Sequence, residues 1–427
     1  MANSAVAQPA SGVPDKDKRI LRELGKRKAE IAALPIQQER RELWRRLNQL
    51  DSVRPMVYVM GSETPWNEMD VNDELVLRCE SQWGRNLETA LRRELYKWDH
   101  MQGDMVMDPA IEVLPPVRDT GFGIGEKVDV ARTDAANDVV SRHFQIQIKD
   151  EGDIEKIRVP ELTFEPADWD RSVAQYREVF DNAIQVEKRG IWMTSIAPWD
   201  FLVRLTGVEE VLLDMCERPA YVHRLMDWTT NAYLRRLDQW EELNVLSLNN
   251  DHRLGGGPQY TNELPPPDFN PGKVRTQDMW GRTMSQIFSA VSPAMHEEFA
   301  LQYECRWLHR FGLTYYGCCE PLDRKVEILR KNVPNLRKIS MSPWVDLDLA
   351  AKNVGTDYVF SYKHSPAVLA EDKWDPAIVR RSLQQDLKRL RGLHVEIIMK
   401  DISTVRYEPK RLWDWAQIAR EVAEQCA

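Results

Sequence analysis

Short apolar runs separated by longer amphipathic stretches begin just after Arg54 and continue to the end of the chain. Eight of them have the length and residue types of strands. They are Pro55–Met60, Met105–Val113 (with Pro109 inside it), Gly190–Ser195, Val245–Asn250, Leu313–Cys318, Leu336–Ser342, Tyr358–Tyr362 and Val395–Lys400. Helix-spaced segments lie between most of them, among them Val208–Trp240, Ser292–Arg310, Leu322–Lys331 and Pro376–Arg391. Ser292 followed by Pro293 reads as an N-cap with proline in the first helical position. Eight strand–helix alternations predict an α/β chain folded as a (β/α)8 TIM barrel.

Residues 1–15 are small and polar and predict a disordered tail. Residues 16–53 have helical spacing interrupted at Pro35, which predicts an N-terminal helical extension. The barrel is then expected over 54–427. Two connections are longer than a compact barrel needs. Residues 115–165 contain the alternating Phe144, Ile146 and Ile148, which predict an inserted β-hairpin. Asn250–Lys273 is rich in Gly and Pro. Both are expected to leave strand C-termini and form walls or lids at the barrel mouth.

The formal net charge is -9 with acids and bases well mixed. Without a basic run, nucleic-acid binding is not expected. No apolar run has the length of a membrane span and the N-terminus lacks a signal-like core, so a cytoplasmic protein with no membrane partner is expected. Six cysteines in 427 residues do not make a disulfide framework. Cys318 and Cys319 are nonetheless adjacent at a predicted strand end.

A barrel gathers its strand C-termini on one face. That would bring together Glu63, the segment Asn249–His252, Cys318, Cys319, Glu320, Trp344, Lys363, His364, Lys400 and Asp401. Thiol, imidazole and carboxylate on one mouth suit a borderline-soft ion such as Zn2+. A buried cysteine that merely packs is the competing reading. No CxxC or HExxH spacing singles out a metal site, no GxSxG elbow is present, and the glycines of 121–125 and 255–257 match no phosphate-binding pattern.

Three segments carry a family resemblance: "RPMV" before the first strand, "SPAMHEEFALQYECRWLHRFGL" running into "TYYGCCEP", and "FSYKHSPAVL". They resemble the uroporphyrinogen decarboxylase superfamily, which includes decarboxylases and zinc-dependent methyltransferases that work with corrinoid proteins. "YYGCCEPLDRKVEIL", "NLRKISMSPWVD" and "EIIMKDIST" resemble an uncharacterised bacterial branch of it. The decarboxylase itself holds porphyrin carboxylates with an arginine-rich segment after strand one. Here that segment is "GSETPWNEM", without arginine, and "EVLPPV" lacks the aspartate expected for the pyrroles, so porphyrin decarboxylation is disfavoured.

The methyltransferases carry His-x-Cys at the end of strand five and a second Cys near strand eight. Tyr316-Gly317-Cys318 and Lys400-Asp401 stand at those places, so only Cys318 carries over. The resemblance implies a demethylase-type methyltransferase. It would move a methyl group from a small O- or N-methylated compound, aromatic in one version, to cobalamin on a corrinoid partner protein. Zn2+ would be held by Cys318, with His252, Cys319, Glu304 and Asp401 as candidate replacement ligands; His252 with Glu304 or Cys319 is the expected completion. Asp401 and Glu320 would orient ligands or move a proton. Trp344 and Tyr316 would pack on the substrate, and Asn250 and His364 would line its pocket. The alternative is a carboxy-lyase for a small acid, with Lys400 or Lys363 on the carboxylate. The N-terminal helices offer either a homodimer interface or a cover for one end of the barrel.

Overall fold

The computed structural model describes residues 12–131 and 140–426. Most of the expected tail, residues 1–11, lies outside the described residues. Two helices follow, α1 (Asp15–Ala32) and α2 (Pro35–Asn48), divided at Pro35, whose fixed φ suits the start of the second.

The central element is a parallel seven-stranded sheet. In chain order the strands of the core are β1 (Met56–Val59), β2 (Ala110–Val113), β3 (Gln185–Lys188), β4 (Ser195–Ile196), β5 (Trp280–Thr283), β6 (Leu313–Tyr316), β7 (Leu336–Met341), β8 (Val359–Lys363) and β9 (His394–Met399). The sheet runs β1-β9-β8-β7-β6-β5-β4, so the first strand pairs with the last and the rest follow sequence order. β2 and β3 form a separate parallel pair. Between β1 and β2 (residues 56–113) Asp104 replaces a ladder. Its N–H donates to Val57 O at 2.7 Å, its Oδ2 accepts from Val57 N–H at 2.7 Å, and Arg54 clamps both its oxygens. Sequential parallel strands with first beside last are compatible with a TIM-barrel-like fold. Among the described residues no continuous ladder closes the ring.

Strand alternation divides the side chains. Val57, Val59, Val395, Ile397 and Met399 pack with Leu383, Leu412 and Trp415 from the last two helices, Pro376–Arg389 and Lys410–Glu424. The opposite face of the same strands carries Tyr58, Glu396, Ile398 and Lys400. It is unusually polar: Lys338 Nζ lies 2.9 Å from Glu396 Oε2, and Lys363 Nζ donates to Tyr315 Oη at 2.9 Å.

Three expectations are corrected. Trp280–Thr283 is a sheet strand with no apolar run to announce it; Gly281 and Arg282 break the pattern. Gly190–Ser195 and Val245–Asn250 share only a single bridge, Ile191 to Leu246. There the Asn249 side chain does the work of a ladder, donating to Trp192 O and Trp280 O and accepting from Trp280 N–H at 2.9 Å. The inserted hairpin pairs Val128–Ala131 with Ser141–Phe144, earlier than the Phe144–Ile148 alternation predicts. Ile148 instead enters a side cluster with Trp199 and Leu225.

The Asn250–Lys273 connection is no lid. Asn48 donates to Pro258 O and Tyr260 O, Glu263 pairs with Arg337 at the start of β7, and Leu264 packs on Trp280 and Leu313, the first residues of β5 and β6. These are the N-terminal ends of the strands. On the way there the chain threads the polar face. A Cβ on Gly255, Gly256 or Gly257 would overlap Arg282, Glu396 or Trp44 respectively, which is why three glycines stand in a row.

Candidate functional site

β6 ends at Gly317, whose φ is +92° and where a Cβ would meet Leu322. Only glycine turns the chain there without strain, and the turn presents Cys318 beside the end of β9. Its backbone is fixed from three sides. Glu320 Oε2 accepts the Cys318 N–H at 2.8 Å, Ser340 Oγ donates to Cys318 O at 2.7 Å, and Arg282 donates to the preceding carbonyl, Gly317 O, at 2.8 Å.

The Cys318 sulfur lies 2.9 Å from Lys400 Nζ and 3.7 Å from the Cys319 sulfur. Cys319 in turn reaches Asp401 Oδ2 at 3.3 Å and Lys400 at 3.5 Å. Lys400 is flanked by Asp401 at 3.2 Å and Glu63 at 3.8 Å, and Glu63 accepts the Asp401 N–H at 2.9 Å. Asp401 holds a φ of +55°, a costly conformation for a non-glycine residue and one that clusters at functional sites.

Charge explains the titration of this group. The Cys319 hydrogen bond, then Arg282 and Lys400, hold the Cys318 thiol well below the ordinary range against the opposing effect of burial. Cys319, hydrogen-bonded to that thiolate and buried, is pushed far up and keeps its proton. Burial alone would lower Lys400, but Cys318, Glu63, Cys319 and Asp401 outweigh it and raise it. The centre is therefore a thiolate–ammonium pair with a neutral thiol donating to the same sulfur.

Behind it is a second polar layer. Glu304 is fully buried, with Ser285 Oγ donating to it at 2.9 Å and Tyr316 Oη at 2.6 Å; Tyr316 Oη also lies 2.6 Å from His296 Nε2. Burial pushes Glu304 up to about 8 and His296 down to about 3, so a neutral acid faces a neutral imidazole. Residues 297–301 between them form a π-helical turn, a feature often found at functional sites. Ser285 N–H donates to Glu320, which joins this layer to Cys318.

Of the residues expected at the site, Cys318, Cys319, Lys400 and Asp401 are together, with Glu320 directly beneath. The others are elsewhere. His252 is held between Asp251 at Nδ1 (2.7 Å) and Glu112 at Nε2 (3.0 Å). Those two bonds raise it although burial opposes, and Arg189 also lies 2.7 Å from Nδ1, so both ring nitrogens are engaged within the chain. Glu304 is committed to Ser285 and Tyr316. Among the described residues no group of three or more His, Cys, Asp or Glu is arranged to hold a metal ion. The expected set of Cys318, His252, Glu304 and Cys319 is thus not assembled, and an ammonium occupies the cation's place beside the thiolate.

Tyr316 is fully buried behind the site, its hydroxyl engaged by Glu304 and His296. His364 is buried against Trp415, and burial lowers it to about 4. Asn250 donates to Leu264 O in the threaded connection. Trp344 stands 80% exposed after β7 (336–341). Sequence reasoning missed Arg282, because its strand was missed.

No protein-family profile matches the chain, and no curated relative matches it. Among solved structures, it is similar to a methyltransferase from Methanosarcina mazei. The match covers 89% of this chain and 97% of that one, at 11% identity and a TM-score of 0.48. Likeness at that level says nothing about reaction or substrate. No helix among the described residues is long and apolar enough to cross a membrane.

Proposed function

We propose that this chain is a group-transfer enzyme of the methyltransferase type, with the Cys318 thiolate as the nucleophile that takes the group from its donor. The carrying observation is the 2.9 Å contact between the Cys318 sulfur and Lys400 Nζ in a buried setting. A thiolate is the reactive form of cysteine, and an adjacent cation keeps it ionised at neutral pH. Cys318 attacks the transferred carbon. An S–C bond forms, the bond from carbon to the donor's heteroatom breaks, and its electron pair leaves with the heteroatom. The sulfur becomes a neutral thioether. Lys400, freed from the thiolate's charge, donates its proton to the departing heteroatom, while Glu63 and Asp401 hold it in place.

That the group is methyl, that the donor is a small O- or N-methylated compound, and that the final acceptor is the corrinoid of a partner protein rest on the superfamily resemblance around "YYGCCEP". When docked, the corrinoid would supply the second nucleophile. Zinc has no part in this reading, because His252 is engaged by Asp251 and Glu112, and Glu304 by Ser285 and Tyr316. The test is transfer of isotopically labelled methyl from a panel of methylated donors, read by peptide mass spectrometry. Label should appear on the Cys318 peptide and disappear in Cys318→Ala. No label, together with CO2 release from a panel of small acids, would replace this reading with the carboxy-lyase.

A further inference from the structure

Two cations on the polar face of the sheet have no carboxylate in contact among the described residues. Lys97, near the end of helix α3 (Gln82–His100), is 6% exposed. Its Nζ donates to Tyr58 Oη at 3.1 Å and sits 4.4 Å from the centre of that ring. Arg253 stacks on the same ring at 5.3 Å and keeps solvent-accessible surface. Among the described residues neither pairs with a carboxylate. Of the groups that raise Arg253, the Tyr58 oxygen comes first; Glu94 is bound to Lys28 at 2.9 Å, and burial and Asp251 push Asp108 up. Tyr58 itself is lowered: burial would raise it, but Arg253 and Lys97 outweigh burial. A buried ammonium resting on a phenol oxygen, beside a guanidinium with no carboxylate in contact, is costly unless something negative arrives.

The location gives this meaning. Tyr58 pairs with Ile398, so the two side chains leave the sheet on the same face. Lys400 is two residues further along that face, roughly 7 Å on at strand rise. The Tyr58 group therefore lies one layer below the Cys318–Lys400 centre.

We propose that Arg253, Lys97 and the Tyr58 hydroxyl form a carboxylate-binding subsite that holds the acid group of the substrate beneath Cys318. A guanidinium fork, a point ammonium and a phenol O–H match the two oxygens of a carboxylate. Phosphate sites characteristically use runs of backbone N–H or a helix N-terminus, whereas the three polar groups named here are all side chains. The use of the subsite rests on the proposed group transfer, which it narrows to donors bearing a carboxylate; the binding itself does not.

The experiment is calorimetric titration of the full chain with benzoate and with its neutral isostere benzamide. Benzoate should bind roughly tenfold tighter or better, the scale of a charge-assisted contact. Arg253→Gln, a change at an exposed position, should bring the two ligands to within about twofold. Lys97→Met should do the same if its circular dichroism matches wild type. Cys318→Ala should keep the full preference. No preference in wild type, or a preference that survives Arg253→Gln, overturns the subsite. A preserved preference without methyl label on Cys318 would instead remove the group-transfer reading and leave the subsite standing.

Discussion

Replacing Lys400 by methionine removes the ammonium and keeps most of the stem. The Cys318 sulfur and Lys400 Nζ are 2.9 Å apart, and the residues are 9% and 4% exposed, so solvent screens them little. Unit charges at that distance attract by roughly 6 kcal/mol at an effective dielectric near 20, equivalent to about four pH units. That is a ceiling. Arg282 and the Cys319 hydrogen bond remain, and a charge-assisted hydrogen bond contributes a net ~1.5–3 kcal/mol. The Cys318 midpoint should therefore rise by about one to two units. The assay is the rate of iodoacetamide labelling against pH, resolved for the Cys318 peptide by mass spectrometry. The exposed Cys216 and Cys426 serve as internal references. Stability should move with it. A thiol whose folded midpoint is depressed adds stability that is complete above its unfolded value, about 8.5, and is lost as pH falls through the folded midpoint. In Lys400→Met the contribution should be smaller and its loss complete at higher pH than in wild type. An unchanged labelling profile in that variant would show that the lysine does not sustain the thiolate, and the proposed chemistry would fall.

Two further outcomes follow from the buried layers. Glu304 sits near 8 in the folded chain against about 4.3 unfolded, so its ionisation in the unfolded state should erode stability as pH rises across that interval. In Glu304→Gln the urea midpoint should lose this slope, the variant gaining on wild type by up to a few kcal/mol toward pH 8; parallel profiles would contradict a neutral Glu304. Gly256→Ala should lower stability by about 1–3 kcal/mol in thermal unfolding, because its methyl overlaps Glu396 on a packed face. A neutral result would mean that the 250–260 connection does not thread the sheet interior.

The strands visible in the sequence were those dense in apolar residues, such as "KISM" in β7 and "VEIIM" in β9, each buried on both faces. β5, "WGRT", was illegible for a physical reason. Gly281 stands where a Cβ would overlap Phe311, and Arg282 points into a polar interior, so the strand's packing demands the residues that hide it. The Asn250–Lys273 connection was legible as long and glycine-rich but not in its course. A glycine run permits close approach without saying to what, and here the close partners are Trp44, Arg282 and Glu396, distant in sequence.

For the site, the adjacent thiols and the Lys400-Asp401 pair could be read because each closes a strand on a shared face. Their chemistry could not, since it depends on which charge neutralises which. Cys318 was matched to a metal-ligand position, and the matching residue near the last strand was a lysine. Read by residue type, a lysine is simply a missing ligand. Placed 2.9 Å from the sulfur, it is a cation in its own right and does part of what a metal does for a thiol, which is to stabilise the thiolate. It cannot act as a Lewis acid toward the donor, but it brings a proton that a metal lacks. The lysine and the dispersal of His252 and Glu304 are thus two sides of one arrangement. With the thiolate's counter-charge supplied covalently by the chain, the histidine and the glutamate are left to pair with Glu112 and Asp251 in one case and with Ser285 and Tyr316 in the other.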